Sequence, residues 1–234
     1  MKKKLEILMA VILLLAAALC AKESAIVVSS LNPQPKATKP CIVIDAGHGG
    51  NDPGKVGING VEEKVLNLEI AFRLKRMLEA EGIHVVLTRE DDNGLYRTNT
   101  NNKKIEDMHK RCEIITDAMP IFTVSIHQNS YPEEYVKGAQ TFYYGKSQEG
   151  KELAERIQAS LIERLDSENH RQAKANESYY LLKKTPTPTV IVECGFLSNT
   201  QEAELLTTEE YQEQAAWAIH MGIMQYITDA IGGE

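Results

Sequence analysis

Short apolar runs rich in β-branched residues alternate along this chain with stretches of helical periodicity, and this alternation most restricts the possible folds. Residues 41–45 (CIVID) form one such run, and apolar side chains then recur at helical spacing from Lys64 to Glu81. The pattern is typical of an α/β layered domain in which a mostly parallel central sheet is flanked by helices. We therefore predict a single α/β domain over residues 41–231.

The other predicted elements continue this alternation. The predicted strands lie at residues 41–45, 83–88, 121–126, 139–144 and 189–193, with a further short strand at 179–182. The predicted helices lie at residues 64–81, 103–118, 149–165 and 211–231, and the polar stretch 90–102 is predicted to be a surface loop. Ligands of such sheets bind beyond the carboxyl ends of the strands, so polar residues at those ends are the candidates for a site.

The N-terminal residues differ in composition from the rest of the chain. Three lysines at positions 2–4 precede an apolar run over residues 7–21, which is typical of an export signal. The run is shorter than the roughly 20 residues that span a bilayer comfortably. Residues 1–21 are therefore predicted to be a signal peptide or an N-terminal membrane anchor, with a buried helix as the third alternative. Residues 22–40 contain three prolines and are predicted to be a linker, so the domain would be exported to the cell-wall side of the cytoplasmic membrane.

The charge balance excludes one class of partner. The chain has 26 basic and 33 acidic residues, for a net charge of −7. Without residues 1–21, which carry three lysines and one glutamate, 23 basic and 32 acidic residues remain. Binding to nucleic acid by neutralising phosphates needs an excess of Lys and Arg, so we expect no nucleic-acid partner. The four cysteines are widely spaced and indicate neither a disulfide framework nor a cysteine-based zinc site.

Polar residues follow or end the predicted buried strands at three points. His48 and His127 each come directly after such a strand, and Glu193 ends another. Catalytic zinc takes three ligands from His, Asp or Glu and leaves one position for water. A carboxylate at the start of the first helix, either Glu63 or its neighbour Glu62, would complete the ligand set. Glu193 would then act as a general base that stays free of the metal.

Other chemistries fit the residues less well. The loop over residues 47–50 lacks the Lys and Ser/Thr of a P-loop and the spacing of a dinucleotide fingerprint. No GxSxG motif is present, and Ser125 lies within a predicted strand instead of at a nucleophile elbow. A carboxylate at the position of Glu63 is also explained by stabilisation of a helix N-terminus alone.

Four ordered segments resemble the type 3 family of zinc-dependent N-acetylmuramoyl-L-alanine amidases. They are IDAGHGG at 44–50, EKVLNL at 63–68, SIHQN at 125–129 and VECGFLSN at 192–199, and the likeness runs through residues 41–230. The resemblance implies that His48, Glu63 and His127 bind one Zn²⁺ ion, with Glu63 preferred over Glu62. It also implies that Glu193 is the catalytic carboxylate.

The resemblance further implies the reaction and its substrate. The bond cleaved would be the amide between the lactyl group of N-acetylmuramic acid and L-alanine, in the glycan strands and stem peptides of peptidoglycan. Asn129 would help to hold the substrate, and Gln128 departs from the family pattern, where a small residue is common. The stretches KGAQTFY at 137–143 and YLLK at 180–183 most resemble the sporulation and germination amidases of the spore cortex. Such an enzyme removes peptides before muramic δ-lactam is formed.

Two alternative functions and one mode of control follow from the same residues. A zinc carboxypeptidase or aminoacylase acting on small peptides would use the same ligands. A catalytically silent peptidoglycan-binding module would keep the cleft without the chemistry. The segment between His127 and Glu193 is filled by predicted strands and a helix, which leaves little space for an autoinhibitory helix. Control would then come from expression timing, from zinc loading or from a regulatory partner protein.

Overall fold

The computed structural model describes residues 40–232, together with Lys3 and Met9. The predicted export segment (1–21) and linker (22–40) therefore lie outside the described residues, apart from Lys3, Met9 and Pro40. Within the part of the chain that is described, none of the helices has the length and apolar character required to span a bilayer.

Six strands form one mixed sheet in the order β2-β1-β3-β6-β4-β5. The strands are β1 (Cys41–Ala46), β2 (His84–Leu87), β3 (Phe122–Asn129), β4 (Gln140–Tyr143), β5 (Lys174–Ala175) and β6 (Thr189–Phe196). Strands β2, β1, β3 and β6 run parallel to one another, while β4 is antiparallel to β6. The predicted fold class, an α/β domain with a mostly parallel sheet, is confirmed.

Helices cover both faces of this sheet. Those in the described residues are α1 (Glu63–Ala80), α2 (Lys103–Ala118), α3 (Gln148–Arg164), α4 (Tyr180–Lys184), α5 (Thr200–Leu206) and α6 (Glu209–Gly232). Side chains of β1 alternate between two cores: Ile42 and Ile44 pack with apolar residues of α1, α3 and α6, while Val43 packs with Ile115 of α2 and Leu181 of α4. Strands buried on both faces in this way produce the continuous apolar runs seen in the sequence.

The predicted strand at residues 179–182 is wrong, because Tyr180–Lys184 is the short helix α4. Leu181 and Leu182 are both buried, which a half-exposed strand with alternating faces does not allow. Leu and Lys favour helix, and the Thr185 hydroxyl closes the turn by donating to the Leu181 carbonyl at 2.8 Å. Helix α5 is not evident from the periodicity of the sequence; it begins where the Asn199 side chain accepts a hydrogen bond from the backbone N–H of Glu202 at 3.0 Å.

Two strands extend past their predicted ends, and this extension positions the site. Strand β3 continues to Asn129 and β6 continues to Phe196, so His127 and Glu193 lie within strands. The two residues are direct partners in the β3–β6 register, which shifts just beyond them, between His127 and Asn129. The parallel sheet therefore fixes the separation of their backbones.

Candidate metal centre

Two histidines and one glutamate form the cluster that the sequence suggested. Ligand atoms of His48, Glu63 and His127 all lie within 4.8 Å of one another. Nε2 of His48 is 3.3 Å from Oε2 of Glu63, and Nδ1 of His127 is 2.9 Å from Oε1 of the same carboxylate. Two imidazoles and one carboxylate are the donors that a catalytic zinc site uses, so the residues fit such an ion.

His48 reaches the cluster from the loop that follows β1. Its φ is +62°, a left-handed conformation that costs a non-glycine residue on the order of 1–3 kcal/mol. Oδ2 of Asp52 lies 3.1 Å from its Nδ1. A carboxylate on that nitrogen holds the ring in the tautomer whose Nε2 has a free lone pair, and this is the nitrogen beside Glu63.

His127 reaches the cluster from within β3. Its ring fits against Gly47, where a Cβ atom would overlap Cε1 and Nε2 of the imidazole. The glycine is therefore required by the close approach of the histidine. Although burial opposes it, the Glu63 carboxylate raises the pKa of His127.

Glu63 is held by backbone donors as well as by the histidines. Its Oε1 accepts from the backbone N–H of Gln128 at 3.1 Å, and its Oε2 accepts from the backbone N–H of Lys55 at 2.8 Å. Burial favours the neutral acid, but the hydrogen bonds from both histidines keep the pKa of Glu63 far below its usual range. The neighbouring Glu62 carboxylate instead lies 3.2 Å from Nζ of Lys64 and is not part of the cluster.

Glu193 stands beside the cluster as a second buried carboxyl group. It is 6% exposed, and its Oε2 has no hydrogen-bond partner among the described residues. Burial raises its pKa to about 7, with the Glu63 charge acting in the same direction and His127 opposing. A carboxyl group with a pKa near neutrality suits proton transfer at physiological pH.

One cleft of about 830 Å³ is lined by His48, Glu63, His127 and Glu193. Asn129 is on its wall, and the Asn129 Oδ1 accepts from the backbone N–H of Ser130 at 2.8 Å. Tyr179 also lines the cleft, and its ring packs edge-to-face on Phe142 with 5.7 Å between centroids. Burial and the nearby Glu193 charge raise the pKa of Tyr179 to about 12, so its hydroxyl remains protonated at neutral pH.

Comparison with known proteins identifies the family. The family model described as N-acetylmuramoyl-L-alanine amidase matches residues 42–225, nearly all of the described domain. The chain belongs to this amidase family. The predicted family and enzyme class, hydrolysis of an amide in peptidoglycan, are confirmed, and a His–Glu–His cluster that could hold a metal ion is present.

The relatives of this amidase include one that is named as germination-specific. The germination-specific N-acetylmuramoyl-L-alanine amidase of Bacillus subtilis is 39% identical over 191 residues, which cover 80% of each chain. Among solved structures, the CwlD amidase of Clostridioides difficile, in complex with the GerS lipoprotein, is 43% identical with a TM-score of 0.79 and covers 81% of this chain and 99% of that one. A Clostridium difficile N-acetylmuramoyl-L-alanine amidase is 30% identical with a TM-score of 0.73, covering 82% and 98%.

The structure of the amidase adds residues that sequence analysis missed. Asp52 orients His48, and Tyr179 lies beside Glu193. The buried Gln128 side chain, whose contacts the sequence did not indicate, donates to Oδ1 of Asn67 at 3.2 Å, and Nδ2 of Asn67 donates in turn to Oε1 of Glu63 at 3.4 Å. The Asp52 position was detectable as a carboxylate four residues after His48, but nothing in the sequence places Tyr179 near Glu193.

Proposed function

We propose that this amidase is zinc-dependent and hydrolyses the amide between the lactyl group of N-acetylmuramic acid and L-alanine in peptidoglycan. One observation carries the proposal. The His48–Glu63–His127 cluster shares a cleft with Glu193, a separate carboxyl group whose Oε2 lacks a partner in the described structure. The chemistry requires this division, in which one carboxylate is fixed as a ligand and another remains free to move protons.

The three clustered residues would hold the metal through two imidazole nitrogens and a carboxylate oxygen. Asp52 and the backbone donors of Lys55 and Gln128 support this donor set from behind. Zinc bound there would supply Lewis-acid polarisation of the scissile carbonyl and a nucleophile at neutral pH.

Glu193 would carry the proton from the attacking water to the leaving nitrogen. The water oxygen bonds to the carbonyl carbon of the lactyl group, and Glu193 accepts the proton that is released. The carbon–nitrogen bond then breaks, and Glu193 delivers that proton to the amino group of L-alanine. A carboxyl group whose pKa lies near 7 performs both transfers without a large free-energy penalty in either direction.

The position of the cleft supports roles for two further residues. Asn129 follows His127 by two positions on β3 and lines the cleft wall, where its amide would hold the muramoyl peptide. Tyr179 keeps its proton and lies beside Glu193, where it would contact the same region of the substrate.

The similarity to germination-specific amidases supports a role in spore cortex peptidoglycan. In that role the enzyme removes stem peptides and leaves muramic acid free for conversion to muramic δ-lactam. Its action would take place on the cell-wall side of the membrane after export through residues 1–21. Because the similar Clostridioides difficile amidase was solved with a lipoprotein, we propose that a regulatory partner acts on this chain as well.

Mass spectrometry of muropeptides after incubation with the zinc-loaded chain tests this function. We expect intact stem peptides with free L-alanine amino termini and glycans with free lactyl carboxylates. Glu193→Gln should lower turnover by roughly 10²–10⁴-fold with zinc content unchanged, since a general base is lost. Glu62→Gln is the matched control and should keep wild-type turnover.

Other outcomes would replace the proposal with one of its alternatives. Release of single C-terminal residues would indicate a carboxypeptidase. Binding of peptidoglycan without any product, equally by the wild type and Glu193→Gln, would indicate a silent binding module.

A further inference from the structure

Two buried arginines donate hydrogen bonds to backbone carbonyls of the loop that carries His48. Nη2 of Arg111 donates to the carbonyl of His48 at 2.5 Å, and Nη1 donates to the carbonyl of Ala46 at 2.8 Å. Nε of Arg89 donates to the same Ala46 carbonyl at 2.9 Å, and its Nη2 donates to that of Gly47 at 3.1 Å. Three successive carbonyls at the end of β1 are thus each bound by a guanidinium group.

Arg89 also joins this loop to the helix that carries the second ligand. Its Nη2 donates to the carbonyl of Lys64 at 2.7 Å, one residue after Glu63. Asn67 adds a parallel connection, since its Nδ2 donates to the carbonyl of Gly47 at 3.1 Å. The backbone at His48 and the start of α1 are therefore held at a fixed separation.

Two neighbouring carboxylates neutralise the buried Arg111 guanidinium, but this ion pairing does not explain why an arginine is present at this position. Arg111 is 1% exposed, and its charge is balanced by Asp45 and Asp107, each 2.6 Å away. Burying such an ion group generally adds little to stability compared with apolar residues of the same volume. A guanidinium close to a candidate metal site would moreover repel the metal. Its presence needs a geometric reason.

The conformation of His48 supplies that reason. A non-glycine residue at φ +62° tends to relax to negative φ, and relaxation would turn its Cα–Cβ bond and move the imidazole away from Glu63. Fixing the carbonyls on both sides of the residue's own Cα prevents this rotation. The planar fork of a guanidinium can bind two carbonyls at once, which an ammonium group cannot do with the same geometry.

We propose that Arg89 and Arg111, here called the carbonyl clamp, are positioning residues that hold His48 in its metal-binding arrangement. The inference rests on the zinc site of the proposed function. In this role the two arginines increase the affinity of the amidase for zinc and make no contact with substrate.

The test compares Arg111→Lys and Arg89→Lys in the full chain with Arg76→Lys, an exposed control on α1. Zinc affinity is measured by competition with a chromophoric chelator, and unfolding of the metal-free protein is followed separately. We expect each clamp variant to bind zinc at least tenfold more weakly, the size typical of residues that orient metal ligands. Activity should recover as zinc is raised, and KM should not change.

The opposite results would overturn the clamp. Wild-type zinc affinity in both lysine variants, or an equal loss in Arg76→Lys, would show that the arginines do not position His48. If one variant fails to fold, the other decides, because beyond the shared Ala46 carbonyl Arg89 holds the Gly47 carbonyl and Arg111 holds the His48 carbonyl. Failure of both to fold would overturn the proposed role in favour of a purely structural one. Failure of the wild-type chain to bind zinc would overturn the metal site itself, which separates the two proposals.

Discussion

The two histidines of the cluster are presented by different kinds of structure. His127 lies inside β3, a strand that pairs with both β1 and β6, and it is the direct partner of Glu193 in β6. His48 lies on a loop in a left-handed conformation and is held by Asp52 and by hydrogen bonds to the loop carbonyls. Both rings meet the same Glu63 carboxylate.

The loop histidine is the more sensitive of the two to substitutions around it. A residue within a strand inherits its position from the register of the sheet, so only a direct steric conflict displaces it. A residue on a loop depends on every group that restrains the backbone around it. Substitutions that leave the strands intact but loosen the loop should therefore weaken metal binding without unfolding the domain.

Gly47→Ala should give the largest effect, because it places a direct conflict against the histidine held by the strand. Gly47 has no positive φ, so the alanine is disfavoured only by overlap with the His127 ring. Overpacking of this kind costs about 2–3 kcal/mol, which corresponds to roughly 100-fold weaker zinc binding. Zinc content and chelator competition on the purified variant measure the loss.

Gly60→Ala is the matched control for this substitution. Its φ is +83°, but no atom lies within 4 Å of the added Cβ. The variant should lose about 1 kcal/mol of stability from strain and keep its zinc. Wild-type zinc affinity in Gly47→Ala would contradict the account of how His127 is seated.

Asp45, near the point where β1 leads into the His48 loop, should contribute less to the stability of the fold in acid. Although burial opposes ionisation, the Arg111 guanidinium and the hydroxyls of Ser125 and Thr88 lower the pKa of Asp45 to about 2. The unfolded-state pKa is about 3.9, so the folded state binds this proton less tightly. The stabilisation is present above pH 4 and disappears as the pH falls towards 2. It amounts to roughly 2–3 kcal/mol.

Urea unfolding of the metal-free protein between pH 7 and pH 2 measures this contribution. Removing the metal keeps protonation of the histidines from acting through loss of zinc. Asp45→Asn should be less stable at pH 7 and show a flatter decline between pH 4 and pH 2, whereas the exposed Asp229→Asn should follow the wild type. An unchanged acid profile in Asp45→Asn would mean that the carboxylate does not stabilise the fold.

The position of His127 on its strand is far easier to predict from the sequence than the conformation of the loop that carries His48. Apolar runs such as residues 121–126 and 189–193 indicate buried parallel strands. The carboxyl ends of parallel strands meet at the same edge of the sheet, which places His127 and Glu193 close together. Periodicity carries no information on the φ of His48 or on long-range contacts, so the roles of Arg89 and Arg111 were not foreseen. Those contacts join residues about 40 to 65 positions apart.

The short helix α4, for which the sequence predicts a strand, depends on long-range contacts in the same way. Tyr180–Lys184 is too short for its period to be recognised, and its apolar pair fits a strand or a helix equally well. Its helical form depends on packing against α2, which no local pattern reveals.

Asp52→Asn should give the smallest loss of zinc affinity among these variants. It tests whether Asp52 acts by orienting the His48 ring or only by adding a negative charge near the site. The variant keeps an oxygen near Nδ1 of His48 but loses the carboxylate that fixes its tautomer. We expect about tenfold weaker zinc binding, at the lower end for groups that orient metal ligands, with the unfolding of the metal-free protein little changed.

Lys104→Gln is the control for Asp52→Asn, because Nζ of Lys104 lies 3.7 Å from the same Asp52 oxygen. Removing that ammonium group takes away the ion pair and leaves the Asp52–His48 contact in place. Lys104→Gln should therefore bind zinc as the wild type does. An equal loss in both variants would mean that the ion pair sets the position of Asp52. Wild-type zinc affinity in Asp52→Asn would mean that backbone restraint alone holds His48. The backbone would then position His48 on its loop as it positions His127 on its strand.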